Sequence, residues 1–80
     1  MIDWKKHITS DPDILAGKPI FVGTRLSVAF IMERLATGWS QEDILENYPR
    51  LNEEMLAAMY AYTCDLIQDS LFYDIPLKAA

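Results

Sequence analysis

The chain has 80 residues, of which 51% are hydrophobic, enough for one small domain of marginal stability that a partner or a second copy would support. Its net charge is −5, and residues 41–80 hold eight acidic and two basic side chains. This excess disfavours contact with a phosphate backbone, and it either attracts a basic partner or forms a solvated surface. We see no membrane span, no signal peptide and one cysteine, which predicts a cytoplasmic protein.

The N-terminal third predicts little regular structure. Residues 1–6 suggest a loose arm or an edge strand, anchored by Trp4. Asp11 followed by Pro12 predicts a helix start, because aspartate caps a helix and proline fits its first position. Gly17 would end that helix after a single turn.

Two glycine-containing turns then bracket a short strand of β-forming residues at 20–22. Gly23 with Thr24 predicts a tight turn, since glycine leads a type II′ hairpin. The two turn motifs comprise Gly17, Lys18, Pro19, Gly23, Thr24 and Arg25. We assign them mainly to architecture, although a guanidinium after a tight turn, that of Arg25, could bridge a carboxylate or a phosphate.

Three helices are expected after this segment. The first covers residues 28–37 between a Ser27 cap and Gly38, with one buried face formed by Val28, Ile31, Met32 and Leu35. The second is short and starts with a capping box from Ser40 to Asp43. The third begins at Asn52 and reaches about residue 68 to 71.

The third helix has an apolar arc too wide for one buried face. Its apolar and weakly polar members are Met55, Leu56, Met59, Tyr60, Tyr62, Thr63, Leu66 and Ile67. We therefore expect part of it, namely Met59, Tyr62 and Leu66, to face a second subunit. Cys64 is expected to be a small core residue.

These elements predict a mainly α fold: a homeodomain-like three-helix (helix-turn-helix) domain with a short N-terminal β element, assembled as a dimer. The chain forms a single domain over residues 1–80. It divides into a turn and β element at 8–27, a three-helix bundle at 28–68 and an apolar tail at 69–80.

DNA binding is a natural question for such a fold, yet the third helix has no lysine or arginine after Asn52. Direct readout of a major groove by this helix is therefore disfavoured. A dimer could still hold DNA through its N-terminal half, where the candidate contacts are Lys5, Lys6, Lys18 and Arg25.

Catalytic signals are weak. His7 is the single histidine, and nothing in the sequence places it beside Cys64 as a base beside a nucleophile. No pattern of metal ligands and no phosphate-binding glycine loop is present in the sequence. We expect neither enzymatic activity nor a cofactor.

The C-terminal tail is unusually apolar, and Pro76 forbids a helix there. Its large apolar residues are Leu71, Phe72, Tyr73, Ile75 and Leu77. Such a tail folds back on the domain or its dimer mate, or it docks on a partner and becomes ordered on binding.

Several of these motifs together resemble the small bacterial family called domain of unknown function 433. The resemblance rests on residues 8–19 and 23–28, and it continues at 38–40, 42–45, 48–49 and 51, so that it covers about residues 8 to 62. It departs at Asn52, where the family often has threonine or serine followed by proline.

The resemblance implies a homeodomain-like helical domain and the VapB-like antitoxin of a type II toxin–antitoxin pair, whose partner is a PIN-like ribonuclease toxin. Two alternatives remain: a DNA-binding transcriptional autorepressor, or a structural homodimer with neither activity. The acidic second half and the apolar tail favour a protein partner.

Overall fold

A two-stranded antiparallel sheet precedes three helices in the computed structural model, which describes residues 1–69. The elements are β1 (Ile8–Thr9), β2 (Ile20–Phe21), α1 (Val28–Ala36), α2 (Gln41–Asn47) and α3 (Glu53–Asp69). In the sheet, Ile8 pairs with Phe21 and Thr9 with Ile20. The expected mainly helical fold with a short N-terminal β element is confirmed. The proposed tail contacts at residues 71–77 lie outside the described residues.

The N-terminal residues form a short 3₁₀ helix, Trp4–Lys6, instead of a loose arm or an edge strand. The edge of the Trp4 ring packs on Tyr62 of α3, with ring centroids 4.7 Å apart. Trp4 Nε1 also donates a hydrogen bond to the carboxylate of Asp65. Trp4 is therefore the anchor that the sequence predicts, and it joins the N-terminus to the last helix.

The prediction that a helix starts at Asp11 is wrong. The Asp11 carboxylate accepts a hydrogen bond from the backbone N–H of Asp13 (2.9 Å), which makes a turn of the segment. Leu15 and Ala16 then have positive φ angles of 50° and 56°. Left-handed residues cannot continue a right-handed helix, so the chain reverses here. Gly17 follows with a positive φ of 81°.

The turn after β2 runs from Phe21 to Thr24, and the Thr24 N–H donates to the Phe21 carbonyl (3.0 Å). Gly23 is its third residue, with φ 79°. This position and sign are those of a type II turn, so the predicted type II′ turn is wrong. The chain then runs back along β2, where the Phe21 N–H donates to the Leu26 carbonyl (3.0 Å).

The predicted helix boundaries hold because each depends on a local cap. The Ser27 hydroxyl accepts from the Phe30 N–H, and the Asn52 side chain accepts from the Met55 N–H. The capping box between Ser40 and Asp43 has both of its hydrogen bonds. The pKa of the Asp43 carboxyl is lowered mainly by the hydrogen bond that it accepts from the Ser40 backbone N–H. A smaller lowering comes from its hydrogen bond with the Ser40 side chain.

The core lies between the sheet and the three helices. Its largest fully buried side chains are Phe21, Ile31, Ile44, Leu56 and Met59. The face of α3 that packs on this core also includes Ala58 and Ala61, which are 0% and 3% exposed. The wide apolar arc of α3 is thus divided, with one part in the core of a single chain and another part in solvent.

Candidate functional site

A groove of ≈ 830 Å³ lies between two connecting segments at one end of the fold. One wall is the turn after β2 with the residues that follow it, 23–26, and the other is the last residue of α2 with the connection to α3, residues 47–50. The loop from Thr9 to Ile14 contributes Thr9, Asp11 and Ile14 to its lining. Three segments that are distant in sequence therefore meet at this site, which has the size of a ligand pocket.

Two arginines mark this groove. Arg50 Nη1 donates a hydrogen bond to the Gly23 carbonyl at 3.1 Å, which ties the α2–α3 connection to the turn after β2. Arg25 lies two residues beyond Gly23, is exposed, and makes no hydrogen bond or ion pair within residues 1–69. Sequence reasoning singled out Arg25 but not Arg50. The signal available for Arg50 was its place directly after the Tyr48-Pro49 helix stop.

The Gly-Lys-Pro motif lies in the loop between β1 and β2. The Ser10 hydroxyl donates to the Gly17 carbonyl and closes the loop between β1 and β2. Lys18 is exposed beside a smaller hollow of ≈ 330 Å³, which Arg25 and Phe30 also line. The motif thus places Lys18 and Arg25 at the same end of the molecule.

The four candidate DNA contacts do not all line the same groove or hollow. Lys18 and Arg25 line the smaller hollow together. Lys5 and Lys6 belong to the N-terminal 3₁₀ helix, which packs on α3 through Trp4. The structure therefore brings together two of the four, and it adds Arg50 beside Arg25 in the groove.

A second candidate surface is the solvent side of α3, which we call the outer face. It consists of Ala57, Tyr60, Cys64 and Ile67, all exposed and spaced at helical intervals of three and four residues. Tyr60 is 39% exposed and Ile67 55% exposed. The expectation that Cys64 is a core residue is wrong, because the helix turns its other side to the core.

The three residues expected at a dimer interface have different environments. Met59 is 0% exposed in a single chain, so it has no surface to offer a second subunit. Tyr62 is half-buried under Trp4. Leu66 is 46% exposed, near the end of the described helix. The periodicity of α3 could not separate these cases, since its phase relative to the core depends on tertiary packing.

An aromatic cluster surrounds Arg34 on α1. The guanidinium carbon lies 4.7 Å from the centre of the Phe30 ring and 5.3 Å from that of Trp39. Tyr48 contacts both rings, edge-on to Phe30 and stacked on Trp39. The Arg34 Nε atom is buried and has no hydrogen-bond partner within the described chain. These cation–π contacts join α1 to the end of α2 and lie behind Tyr48, which lines the groove.

Other titratable groups are dispersed. His7 Nε2 lies 3.6 Å from a carboxylate oxygen of Glu54, on the side where the N-terminus meets α3. Within residues 1–69, no group of three or more histidine, cysteine, aspartate or glutamate side chains could hold a metal ion. No helix in this part of the chain is long and apolar enough to cross a membrane.

Comparison with known families gives a match over residues 8–63 to the family described as "Protein of unknown function (DUF433)". The chain belongs to the DUF433 family. The match covers the sheet, the groove, α1, α2 and most of α3. The resemblance inferred from the two turn motifs is therefore confirmed at the level of the family.

A relative in Sinorhizobium fredii (strain NBRC 101917 / NGR234), described as "Uncharacterized protein y4eO", is 45% identical over 59 residues. The aligned region covers 71% of this chain but only 27% of that relative. The aligned part of this DUF433 chain thus spans about a quarter of the length of that relative. No solved structure gives a significant match.

Proposed function

We propose that this DUF433 protein is an antitoxin of VapB-like role that binds and neutralises a PIN-like ribonuclease toxin. The observation that carries this proposal is the outer face of α3, an exposed apolar stripe on a helix whose charged residues are all acidic. These are Glu53, Glu54, Asp65 and Asp69. Exposed apolar surface with a single sign of charge around it is typical of a surface that binds an oppositely charged protein.

The neighbouring helix extends the acidic surface. Gln41, the first residue of α2, donates a hydrogen bond to the Tyr60 hydroxyl at 3.1 Å. Glu42 and Asp43 follow in the same turn of α2. Tyr60 therefore contacts the acidic first turn of α2, and this aromatic side chain is a suitable anchor for a partner.

A ribonuclease is a fitting partner for such a surface. An enzyme that binds RNA needs positive charge along the path of the phosphates, and the acidic helices α2 and α3 would be attracted to that path. PIN-like nucleases cleave RNA with carboxylates that hold a divalent cation. Binding beside that centre would exclude RNA without any chemistry by the antitoxin.

The homeodomain-like arrangement and the cytoplasmic location expected from the sequence belong to the same proposal. We place the three helices in a homeodomain-like arrangement, with α2 and α3 joined by the short connection at residues 48–52, in a cytoplasmic protein. Like charges along α3 disfavour a second copy on its outer face. A homodimer would accordingly use other residues, and its mass in solution is measured in the same experiment.

The test is a pull-down from the native host with the tagged full chain, followed by size-exclusion chromatography of the recovered material, mass spectrometry and a ribonuclease assay. Ile67→Lys places a positive charge on the outer face and should abolish stoichiometric capture. Val22→Lys is the matched control, because Val22 is similarly exposed (46%, against 55% for Ile67) but lies on the turn after β2.

A captured PIN-like protein that depends on Ile67 and not on Val22 would support the proposal. Recovery of the chain alone, at the mass of a dimer, would instead favour the structural homodimer. Equal loss of capture in both variants would contradict the assignment of the outer face.

A further inference from the structure

The groove at residues 23–26 and 47–50 carries positive charge that the protein itself does not neutralise. It contains the guanidinium groups of Arg25 and Arg50 and one carboxylate, that of Asp11. The Asp11 carboxylate accepts the Asp13 N–H within its own turn. Neither arginine forms an ion pair within residues 1–69, although the chain has twelve acidic residues and seven basic ones.

The two arginines keep most of their hydrogen-bonding capacity. Arg50 uses one Nη1 donor for the Gly23 carbonyl, which fixes the position of its planar group against the turn. Arg25 uses none within the described residues. A guanidinium has five donors in a rigid fork, and its best partner is a carboxylate or a phosphate held by two parallel bonds.

The remaining surface of the groove is largely apolar. Ile20 is 2% exposed and lies at the bottom, and Leu26 and Pro49 contribute to the walls. Tyr48 adds an aromatic ring that is held from behind by Phe30 and Trp39. An apolar bottom beside two cations suits a ligand that presents aliphatic or aromatic side chains next to an acidic group.

We propose that this groove binds an acidic-apolar peptide segment of a partner protein, with the peptide's carboxylate held by Arg25 and Arg50 and its neighbouring apolar side chains placed over Ile20 and Leu26. Charge complementarity sets the occupant, because the groove is a positive site on a protein of net charge −5. Arginine and tyrosine side chains are also typical of the residues that dominate binding energy at interfaces.

A nucleic acid fits this groove less well. Each strand of a duplex carries one phosphate about every 3.4 Å of helix axis, so a nucleic acid would continue beyond the groove in both directions. On the side of the α2–α3 connection it would meet Glu46 and Glu53, which are exposed. A peptide with one or two acidic residues needs only local positive charge and meets no such repulsion.

This site is separate from the surface proposed for toxin binding. No residue of α3 lines the groove. The outer face of α3 has no charged residue, and the charged residues elsewhere on α3 are all acidic. The inference therefore goes beyond the antitoxin proposal, and each can fail without the other.

The experiment uses the full chain and a library of random peptides of about twelve residues displayed on phage. Enriched peptides are synthesised with a fluorescent label, and their Kd values are measured by anisotropy against wild type, Arg25→Gln, Arg50→Gln and Lys5→Gln. Lys5 is an exposed cation on the N-terminal 3₁₀ helix, so it is the matched control. A labelled single-stranded DNA of about 20 nucleotides is measured in parallel.

We expect the enriched peptides to share an acidic residue beside apolar ones. Arg25→Gln and Arg50→Gln should each weaken binding about tenfold or more, with Lys5→Gln unchanged. Replacing the peptide's acid by its amide should cause a similar loss. If Arg50→Gln loses its fold by circular dichroism, Arg25→Gln carries the test alone, because Arg25 makes no hydrogen bond or ion pair within the described residues that the change would remove.

Three results would overturn the inference. The first is that no peptide is enriched, and the second is that the enriched peptides lack acids or bind both arginine variants as tightly as wild type. The third is that the DNA binds more tightly than any peptide and loses binding in the same two variants, which would assign the groove to phosphates.

Discussion

Thr24 organises the turn that forms one wall of the groove. Its hydroxyl donates to the Phe21 carbonyl (2.8 Å) and accepts from the Leu26 N–H (3.0 Å), and the residue is only 8% exposed. A single side chain thus satisfies two backbone groups on opposite sides of the turn. In the Gly-Thr-Arg motif, the threonine is structural. Its two hydrogen bonds fix the backbone on both sides of Arg25.

We predict that Thr24→Val destabilises the fold by about 1–3 kcal/mol, because valine keeps the shape but leaves the Leu26 N–H without its acceptor. The measurement is the free energy of unfolding in urea. Thr37→Val is the control, since Thr37 also bonds a carbonyl but is exposed at the end of α1, and it should change stability by less than about 0.5 kcal/mol. Equal effects of the two changes would contradict this role.

Asp43 gives the capping box a pH dependence. The Ser40 backbone N–H and then the Ser40 side chain hold the pKa of the Asp43 carboxyl below its usual value of 3.8. A carboxyl whose pKa is lowered by folding stabilises the folded state above its unfolded pKa. That contribution is lost as the pH falls through the folded pKa.

We therefore predict that Asp43→Asn lowers the urea midpoint at about pH 7, and that its difference from wild type shrinks at about pH 2.5. Glu46→Gln is the control, because it removes one charge from α2 and leaves the capping box intact. A difference between Asp43→Asn and wild type that is the same at both pH values would exclude the proposed linkage.

At the level of elements, the N-terminal 3₁₀ helix and α3 are joined across 61 residues by the Trp4–Asp65 hydrogen bond. The Trp4 ring also packs on Tyr62. We predict that Trp4→Phe and Asp65→Ala each destabilise the fold and that a double-mutant cycle gives a coupling of about 1–2 kcal/mol. Thermal and urea unfolding of the four proteins measures it. Strict additivity would mean that the hydrogen bond contributes nothing in solution.

Elements defined by local caps could be predicted from the sequence, and the others could not. Ser27, Ser40 and Asn52 each bond a backbone group within three residues, so their helices start where the sequence indicates. The Asp11 signal failed because Leu15 adopts a left-handed backbone that no local rule assigns to leucine. Here the loop closure between the strands overrides the local preference for a helix.

Residue environments on α3 show the same limit. Periodicity finds that α3 has too many apolar residues for one face, but it does not set which of them point inward. Packing against Trp4 and the sheet rotates Met59 into the core and leaves Cys64 outside. The groove was likewise beyond sequence reasoning, since only the tertiary hydrogen bond from Arg50 to the Gly23 carbonyl brings the α2–α3 connection to the turn that precedes Arg25.

The whole molecule separates its charges between two surfaces. Helices α2 and α3 carry seven of the acidic residues and no basic one. The loops at the groove carry Arg25 and Arg50 without paired carboxylates within the described residues. One surface therefore suits a basic partner and the other an acidic segment, which fits a small protein that acts by binding at two places.

The most direct test of the antitoxin proposal is inhibition of RNA cleavage by the partner that the chain captures. The purified partner is assayed on single-stranded RNA with Mg²⁺ while the full chain is added stepwise. We predict that cleavage falls to zero near one equivalent of wild type or Val22→Lys, and persists with Ile67→Lys. A partner that does not cleave RNA, or that cleaves it equally well with the wild-type chain bound, would contradict the account.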